Sequence, residues 1–308
     1  MTDYIIAEIA FLHYEKGMSQ QEIAKYFKLS KMTISRMLQR AKEQKIVETF
    51  INLPFKTVPK LEEAIERKYN IEKAYVIRST KNQDKELKKF IGSVASFYLT
   101  IENLNNRIIG IGLGETISQM IRNLPEIKTT NLHIVQLLGG LADVTDANPF
   151  NIVQEFCQKL NATGTYLTSY AVVDNAEMKI KILEKKVSGQ SIYDLWEKCD
   201  KAIFGIGSIR TGTLLSKSLV PPQIIKELNQ LGGIGDILGH CFNDEGKFLH
   251  TDLENRLVSI PVDILNNIKE RFAIAGGIYK AQAIKGALKT GIITHLLTDE
   301  ITAAEIIK

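Results

Sequence analysis

The sequence predicts an α/β protein in which a small helical unit precedes a larger domain built on a mostly parallel sheet. Capped helical segments fill the first 45 residues, and Pro54 and Pro59 bracket a short linker. From there to the end, apolar runs of strand length alternate with helical periodicity. A 308-residue chain has room for two domains, which we expect at residues 1–54 and 55–308.

The first two helices are predicted from periodicity and capping. Residues 4–16 repeat apolar side chains at helical spacing and stop at Gly17. Ser19 stands three residues before Glu22, the spacing of a capping box, and therefore opens a second helix over residues 20–27.

The third helix, residues 31–45, follows Ser30 as its N-cap and has one apolar stripe. Its opposite face is polar and basic, as a helix that enters the major groove of DNA requires. Thr33 and Arg36 are predicted to read bases. Contacts to the phosphate backbone are predicted for Gln20, Gln21, Lys31 and Arg40.

Basic residues are concentrated around this helix. Residues 25–45 hold seven lysines and arginines against one glutamate, whereas the whole chain has a net charge of only +4. An unrelated three-helix cap with solubilising charges is the alternative, but the coincidence of basic face and capped helix favours DNA binding. Residues 45–53 then alternate like a strand, which predicts a small β-wing.

The composition excludes several classes of protein. Cys157, Cys199 and Cys241 form no CxxC pair and are odd in number, so neither a disulfide framework nor a metal site is expected, and a reducing cytoplasm suits them. The N-terminal stretch lacks the features of a signal peptide, and no apolar run has the length of a membrane span. No motif indicates a bound cofactor, and no membrane partner is expected.

The second domain is predicted to hold a mostly parallel sheet covered by helices on both faces, because its strand candidates are almost continuously apolar. Ligands of such sheets bind beyond the carboxyl ends of the strands. The strand candidates are residues 74–79, 107–114, 133–140, 165–172, 201–208, 272–277 and 294–299.

One of these strand ends predicts a phosphate site. Gly110, Gly112 and Gly114 lead into Glu115 and Thr116 at the start of a helix. Free N–H groups and a hydroxyl converge there, which favours an anion. Glycines that merely permit tight packing are the alternative.

Three further strand ends carry candidate ligand-binding residues. Two of these strands end in glycine pairs, which would let the backbone approach a ligand closely. The second pair leads to Lys280. Its ammonium group would either reach a phosphate or a sugar hydroxyl or simply be solvated. Asp299 ends the last strand and either accepts sugar hydroxyls or caps the terminal helix. The glycine pairs are Gly139, Gly140, Gly276 and Gly277.

The chain resembles the SorC/DeoR-type sugar-binding transcriptional regulators over nearly its whole length. The resemblance rests on MSQQEIAKYFKLSKMTISRML, GIGLGETI, QLLGG, FGIGSI, GIGDILGHCFNDEG, AGGIYKAQAIKGALKTG and LLTDEITA. It implies a winged helix-turn-helix followed by an effector domain similar to ribose-phosphate isomerase and glucosamine-phosphate deaminase, without their catalysis. It also implies a phosphorylated sugar effector, double-stranded operator DNA as partner, and a homodimer or homotetramer.

The resemblance also assigns residues. It implies that Asp236 lies near sugar hydroxyls, that Lys280 contacts the ligand, and that the two glycines at 139–140 line the pocket. Near the phosphate it implies Gly112, Gly114, Glu115 and Thr116. Leu113 replaces a frequent aromatic residue and GIGD replaces the commoner GAVGD, which blurs the identity of the ligand. Leu138 offers no amine for covalent capture of a sugar carbonyl.

An enzyme is the rival hypothesis. A sugar-phosphate isomerase or deaminase with an accessory helical domain would need a general base in its cleft, for which Asp236, Asp299 and Glu115 are the candidates. The five histidines are scattered and suggest no catalytic group. A nicotinamide-dependent dehydrogenase is a weaker alternative, because GIGLGE lacks the full GxGxxG spacing.

Overall fold

The computed structural model describes residues 3–44, 46–47, 55–79, 83–141, 148–186, 189–209 and 220–308. Internal contacts divide the chain into two compact units, Met1–Pro54 and Phe55–Lys308. Each unit has its own apolar core.

In its described part, the N-terminal unit contains three helices, α1 (Asp3–Tyr14), α2 (Gln20–Phe27) and α3 (Lys31–Glu43). The capping box at α2 is present, because Ser19 Oγ accepts from the N–H of Glu22 at 3.3 Å and the Glu22 carboxylate accepts from the N–H of Ser19 at 2.8 Å. Ser30 caps α3 as predicted, by accepting from the N–H of Thr33 at 3.0 Å.

The third helix is two residues shorter than predicted and ends at Glu43, with the N–H of Gln44 still bonded to Arg40. The predicted wing strand, residues 45–53, lies outside the described residues except for Ile46 and Val47. The core of the unit is apolar throughout, and all three helices contribute to it. Its most buried members are Ile9, Ile23, Ile34 and Ala41.

The second unit is an α/β structure, in agreement with the predicted fold class. Its strands are β1 (Lys73–Ile77), β2 (Ile108–Ile111), β3 (His133–Gln136), β4 (Thr163–Thr165), β5 (Lys201–Phe204), β6 (Gly207–Ser208), β7 (Gly233–Ile237), β8 (His240–Asn243), β9 (Glu270–Ile274) and β10 (His295–Asp299). Its helices are α4 (Pro59–Tyr69), α5 (Asp84–Thr100), α6 (Glu115–Asn123), α7 (Pro149–Leu160), α8 (Ala176–Leu183), α9 (Ile192–Trp196), α10 (Pro222–Gln230), α11 (Asp252–Arg256), α12 (Val262–Asn267), α13 (Ala281–Lys289) and α14 (Glu300–Ile307), with a 3₁₀ turn at Ile278–Lys280.

The main sheet has seven parallel strands in the order β1-β10-β9-β5-β2-β3-β4. The chain runs outward from β2 through β3 to β4 and returns to β5 on the other side of β2, so the order reverses between β2 and β5. A crevice forms at such a reversal, because the connections that follow the two strands leave in opposite directions. A ligand-binding site is therefore expected beyond the carboxyl ends of β2 and β5.

Two apolar layers cover the faces of the sheet, as the continuously apolar strands predict. One layer includes Trp196, whose indole N–H donates to the carbonyl oxygen of Gln136 at 2.9 Å. The other includes Phe156 and the side chains of Ile109 and Ile111 from β2.

Some strand predictions were wrong in detail. Most of the predicted strand 165–172 lies beyond β4, which covers only Thr163–Thr165, and the predicted strand 201–208 is broken into β5 and β6. The sequence reasoning also missed the hairpin of β7 and β8, which forms an antiparallel sheet with β6. Leu238 and Gly239 connect that hairpin, both with positive φ (53° and 87°).

Candidate functional site

A cavity of about 310 Å³ opens where the strand order reverses, beyond the carboxyl ends of β2, β5 and β9. Segments far apart in the chain meet there: the turn after β2, the turn after β5, the end of β7 and the 3₁₀ turn after β9. Its lining is Asp84, Lys88, Leu113, Gly114, Glu115, Thr116, Ile117, Gly205, Ile206, Gly207, Asp236, Leu238, Ile274, Tyr279 and Lys280.

The N-terminus of α6 forms one wall of the cavity. Gly114 is its N-cap, with a φ of 137° that favours glycine, and no side chain caps the helix. Among the described residues, no acceptor bonds the N–H groups of Glu115, Thr116 and Ile117; the first bond runs from Ser118 back to Gly114. These N–H groups and the helix dipole make the wall a site for a negatively charged group.

Lys280 brings a positive charge to the same cavity. Its Nζ donates to the carbonyl oxygen of Ile206 at 3.0 Å. Burial lowers the pKa of Lys280, and nearby Lys88 lowers it further, while the charge of Asp236 acts in the opposite direction. An ammonium group that has lost hydration in this way gains from contact with an anion.

Asp236 brings a buried carboxyl group with an unused acceptor to the cavity. Its Oδ2 accepts from the N–H of Gly239 at 3.1 Å, whereas its buried Oδ1 has no hydrogen-bond partner among the described residues. Burial raises the pKa of this carboxyl. A Cβ on Gly207 would lie 1.8 Å from Oδ1, so only glycine at that position leaves room for the carboxylate.

The mouth of the cavity carries a cluster of charges that the sequence reasoning missed. Lys88 Nζ lies 2.6 Å from Asp84 Oδ2 and 2.7 Å from Glu115 Oε2. The hydroxyl of Tyr279 donates to Asp84 Oδ1 at 2.5 Å. Burial is the main cause, and this hydrogen bond a second cause, of the rise in the pKa of Tyr279 to about 12. In the sequence, Asp84 and Lys88 look like an ordinary solvated i, i+4 pair; only the fold brings them to Glu115.

In the N-terminal unit, the outer face of α3 is exposed. Arg36 lies opposite the buried stripe, and Lys31 and Arg40 are exposed beside it. Thr33 is half-buried, with its hydroxyl 2.8 Å from that of Ser30. At the start of α2, Gln21 is exposed and Gln20 half-buried.

Both units match known families. Residues 54–308 match the sugar-binding domain family, and residues 8–44 match region 4 of sigma-70 factors. The chain belongs to the sugar-binding regulators of the SorC/DeoR type.

Several named regulators align with this chain over nearly its full length. The erythritol catabolism regulatory protein EryD of Brucella abortus is 27% identical over 307 residues, which cover 99% of this chain and 96% of EryD. The deoxyribonucleoside regulator of Bacillus subtilis is 26% identical, covering 97% of this chain and 96% of the relative. The crystal structure of the full-length sorbitol operon regulator SorC from Klebsiella pneumoniae superposes with a TM-score of 0.74 at 25% identity, covering 99% of each chain.

The chain is therefore a DNA-binding transcriptional regulator with a sugar-binding domain, rather than an isomerase or deaminase. No described helix of this regulator is long and apolar enough to cross a membrane. Within the described residues, no group of three or more His, Cys, Asp or Glu side chains is arranged to hold a metal ion.

Of the predicted effector residues, the cavity brings together Gly114, Glu115, Thr116, Asp236 and Lys280. The remaining predicted glycines do not line it, and packing explains the absence of a side chain at Gly112 and Gly139. A Cβ on Gly112 would lie 2.6 Å from the side chain of Leu238, and one on Gly139 would lie 2.5 Å from the carbonyl oxygen of Tyr170. Gly140 borders a separate hollow, and its N–H donates to Ser169 at 2.7 Å.

Asp299 does not line this cavity either. Its Oδ1 accepts from the N–H of Thr302 at 3.0 Å, so it caps α14, one of the two roles weighed for it. Its Oδ2 accepts from the N–H of Gly277 at 2.8 Å, and a Cβ on Gly276 would lie 2.5 Å from that oxygen. Asp299 thus holds the glycine turn that leads to Lys280.

Proposed function

We propose that this regulator controls a carbohydrate-utilisation operon and that a small phosphorylated sugar, bound in the cavity of the second unit, sets its affinity for double-stranded operator DNA. The proposal rests on one observation. The N–H groups at the start of α6 face the cavity without acceptors among the described residues, and Asp236 of its lining has a buried oxygen, Oδ1, for which those residues offer no donor.

A phosphate group suits the anion-binding wall. Gly114 lets the backbone approach closely, the N–H groups of Glu115, Thr116 and Ile117 are available, and Lys280 supplies a cation. Lys88 is a second cation, but its charge is opposed by Asp84 and Glu115. A single phosphate therefore suits this wall better than a more highly charged ligand.

A sugar hydroxyl suits Asp236. A buried acceptor that lacks a donor costs free energy. Oδ1 lies against Gly207, so a sugar hydroxyl would recover this free energy once the Asp236 side chain turns toward the cavity. Leu113, Ile206 and Leu238 give the cavity apolar surface for the carbon side of a sugar. A volume of about 310 Å³ is near the lower limit of ligand pockets, which favours a monosaccharide phosphate.

Control of DNA binding requires only a difference in affinity. If the sugar phosphate binds one conformation of the regulator better, the population competent for operator DNA must shift by the same free energy, typically about 1–3 kcal/mol. Release and recruitment are both compatible with this linkage. The names of the relatives, which refer to erythritol catabolism, deoxyribonucleosides and the sorbitol operon, support a catabolic operon as the target.

On the DNA side, we propose that Thr33 and Arg36 contact base edges and that Gln20, Gln21, Lys31 and Arg40 contact phosphates. Operators of such proteins have two-fold symmetry, so we propose a homodimer or homotetramer as the functional form.

The test is a gel shift of the full chain on DNA from upstream of its own gene, with pentose and hexose phosphates and their unphosphorylated counterparts. We expect one phosphorylated sugar to change operator affinity at concentrations where its unphosphorylated counterpart has no effect. Equal action of the neutral sugar would contradict the anion-binding wall. Arg36→Ala should abolish sequence-specific DNA binding and leave sugar-phosphate binding intact.

A further inference from the structure

Helix α5 reaches from the cavity of the second unit to the residue at which that unit begins. It has 17 residues and spans about 24 Å at 1.5 Å per residue. Its first turns bring Asp84 and Lys88 to the mouth of the cavity. Its last turns carry Phe97 and Tyr98, whose ring centroids lie 5.4 Å and 5.6 Å from that of Phe55. Phe55 is the first residue of the second unit and therefore directly follows the DNA-binding unit in the chain.

The contacts at the start of α5 are electrostatic and respond to an added charge. Lys88 Nζ lies 2.6 Å from a carboxylate oxygen of Asp84 and 2.7 Å from one of Glu115. A phosphate on the N–H groups of α6 would lie beside Glu115, where it would attract Lys88 and repel both carboxylates. The binding of a phosphate therefore changes the balance of forces on the start of α5.

The contacts at the end of α5 are apolar and hold the first residues of the second unit. Phe55 is buried against the last turns of the helix. The residues that follow it pair with the end of β1 and the residue after it. The N–H of Val58 donates to the carbonyl oxygen of Val76 at 2.9 Å, and the N–H of Arg78 donates to that of Lys56 at 2.7 Å. Because these two hydrogen bonds lie next to Phe55 in the chain, a displacement of Phe55 would weaken them.

Packing between the two ends favours movement of α5 as one body. A Cβ on Gly92, in the middle of the helix, would lie 2.6 Å from the Cβ of Gln119 in α6, so the two helices touch without an intervening side chain. On the inner side of α5, Leu87 and Ile91 are buried in the same apolar layer as Phe55. Close-packed interiors transmit a displacement because they contain little free space to absorb it.

We propose that α5 couples the cavity to the segment that joins the two units: a phosphorylated ligand that changes the charge contacts of Lys88 shifts α5, and Phe55 moves with the helix. The inference rests on the proposed function for the identity of the ligand. The link from Lys88 to Phe55 belongs to the second unit alone, so it is testable without any ligand.

Amide hydrogen exchange of the full chain tests this link. Lys88→Met leaves two carboxylates at the mouth of the cavity without their shared cation, which should displace the start of α5. We expect the amides of Val58 and Arg78 to exchange at least about fivefold faster, the lower end of the usual coupling between two sites. The matched control is Lys89→Met, at an exposed position of α5 outside the cavity lining, which should exchange like the parent.

Two comparisons separate transmission through α5 from a general loosening of the domain. Thr163 lies on the opposite edge of the sheet, where its N–H donates to the carbonyl oxygen of Leu132 at 3.1 Å, and its exchange should not change in Lys88→Met. Phe55→Leu removes the ring contact with the end of α5 and should itself accelerate exchange at Val58 and Arg78. Because both variants act through this one contact, their effects should not add in the double variant.

Three results would overturn the coupling by α5: exchange in Lys88→Met at the level of the Lys89→Met control, equal acceleration at Thr163, or additive effects in the double variant. If a sugar phosphate still changes the operator affinity of the parent chain, any of these results leaves the proposed function intact. Conversely, selective acceleration in Lys88→Met, without any effect of sugar phosphates on operator binding, would support the coupling and contradict the proposed function.

Discussion

Two clusters of charged groups lie at opposite ends of the same parallel sheet, and they differ in how their charges are paired. At the amino end, buried Lys201 contacts Glu102 at 2.5 Å and Glu270 at 3.0 Å, and Arg107 adds a contact to Glu270 at 3.4 Å. At the carboxyl end, Asp236 keeps one oxygen without a partner among the described residues. Burial of charge is common to both clusters, so the unused acceptor is the feature that indicates a ligand.

The two carboxylates respond to burial in opposite directions. Burial alone would raise the pKa of Glu270, but the hydrogen bond and charge of Lys201 outweigh it and hold the pKa below its usual range. The pKa of Asp236 is raised, because its single bond from Gly239 and the charge of Lys280 do not offset burial. The amino-end cluster therefore contributes to stability, whereas the cavity retains free energy that a ligand would recover.

The largest effect on stability should come from the amino-end cluster. Lys201→Met leaves Glu102 and Glu270 without their shared cation, and we expect a loss of about 3 kcal/mol in the free energy of unfolding, measured by chemical denaturation. The control is Lys181→Met, which breaks an exposed pair with Glu177 and should cost less than about 1 kcal/mol. Equal losses in the two variants would mean that the amino-end cluster contributes nothing beyond a surface pair.

The cavity should behave in the opposite way when its lysine is removed. For Lys280→Met we expect sugar-phosphate binding to weaken about 10- to 100-fold, the range for loss of a charged hydrogen bond, with no loss of unfolding free energy. Titration calorimetry and denaturation measure the two quantities. Lys285 lies on α13, the helix that follows Lys280, and is absent from the cavity lining, so Lys285→Met should bind like the parent. A destabilised Lys280→Met with normal binding would identify Lys280 as a structural residue.

Asp236→Asn should reveal the unused acceptor of Asp236 through a change in how the free energy of unfolding depends on pH. The raised pKa means that the folded chain holds the Asp236 proton more tightly than the unfolded chain, whose value is near 3.8. Stability is therefore lost as the pH rises above 3.8 and is recovered as it falls. Asparagine has no such dependence, so the variant should gain about 1 kcal/mol over the parent at neutral pH and nothing near pH 3.8. A pH-independent difference would contradict this.

Features that depend on neighbouring residues were predictable from the sequence, whereas features that depend on residues far apart in the chain were not. Helices α2 and α3 begin at the predicted residues because Ser19 and Ser30 cap them through bonds to residues three positions away. The buried strands were recognisable as apolar runs. The β7–β8 hairpin was not, because its turn uses Leu238 at a positive φ, where Asn or Gly would have marked a turn.

Assembly of the cavity was only partly predictable. The turn after β2 and the 3₁₀ turn after β9, which holds Lys280, both lie beyond carboxyl ends of strands, so topology alone brings them together. Lys88 lies on a helix packed against the sheet, and no local pattern separates it from a solvated lysine. The glycines at 139–140 look like ligand-binding glycines, but what excludes a side chain at Gly139 is the backbone of Tyr170 and Ala171, which is distant in sequence.

The smallest effect on stability and binding is expected for a substitution at the mouth of the cavity, where two carboxylates share one lysine. Glu115 is exposed and shares Lys88 with Asp84. Glu115→Gln should therefore change the free energy of unfolding by less than about 0.5 kcal/mol. It also removes a negative charge beside the N–H groups of α6, so we expect a phosphorylated sugar to bind about two- to threefold more tightly at low salt and equally at high salt. Isothermal titration at two ionic strengths measures this, with Glu86→Gln on α5, outside the cavity lining, as the control. Weaker binding by Glu115→Gln would instead mean that this carboxylate accepts a hydroxyl of the ligand, and the phosphate would then have to lie elsewhere in the cavity.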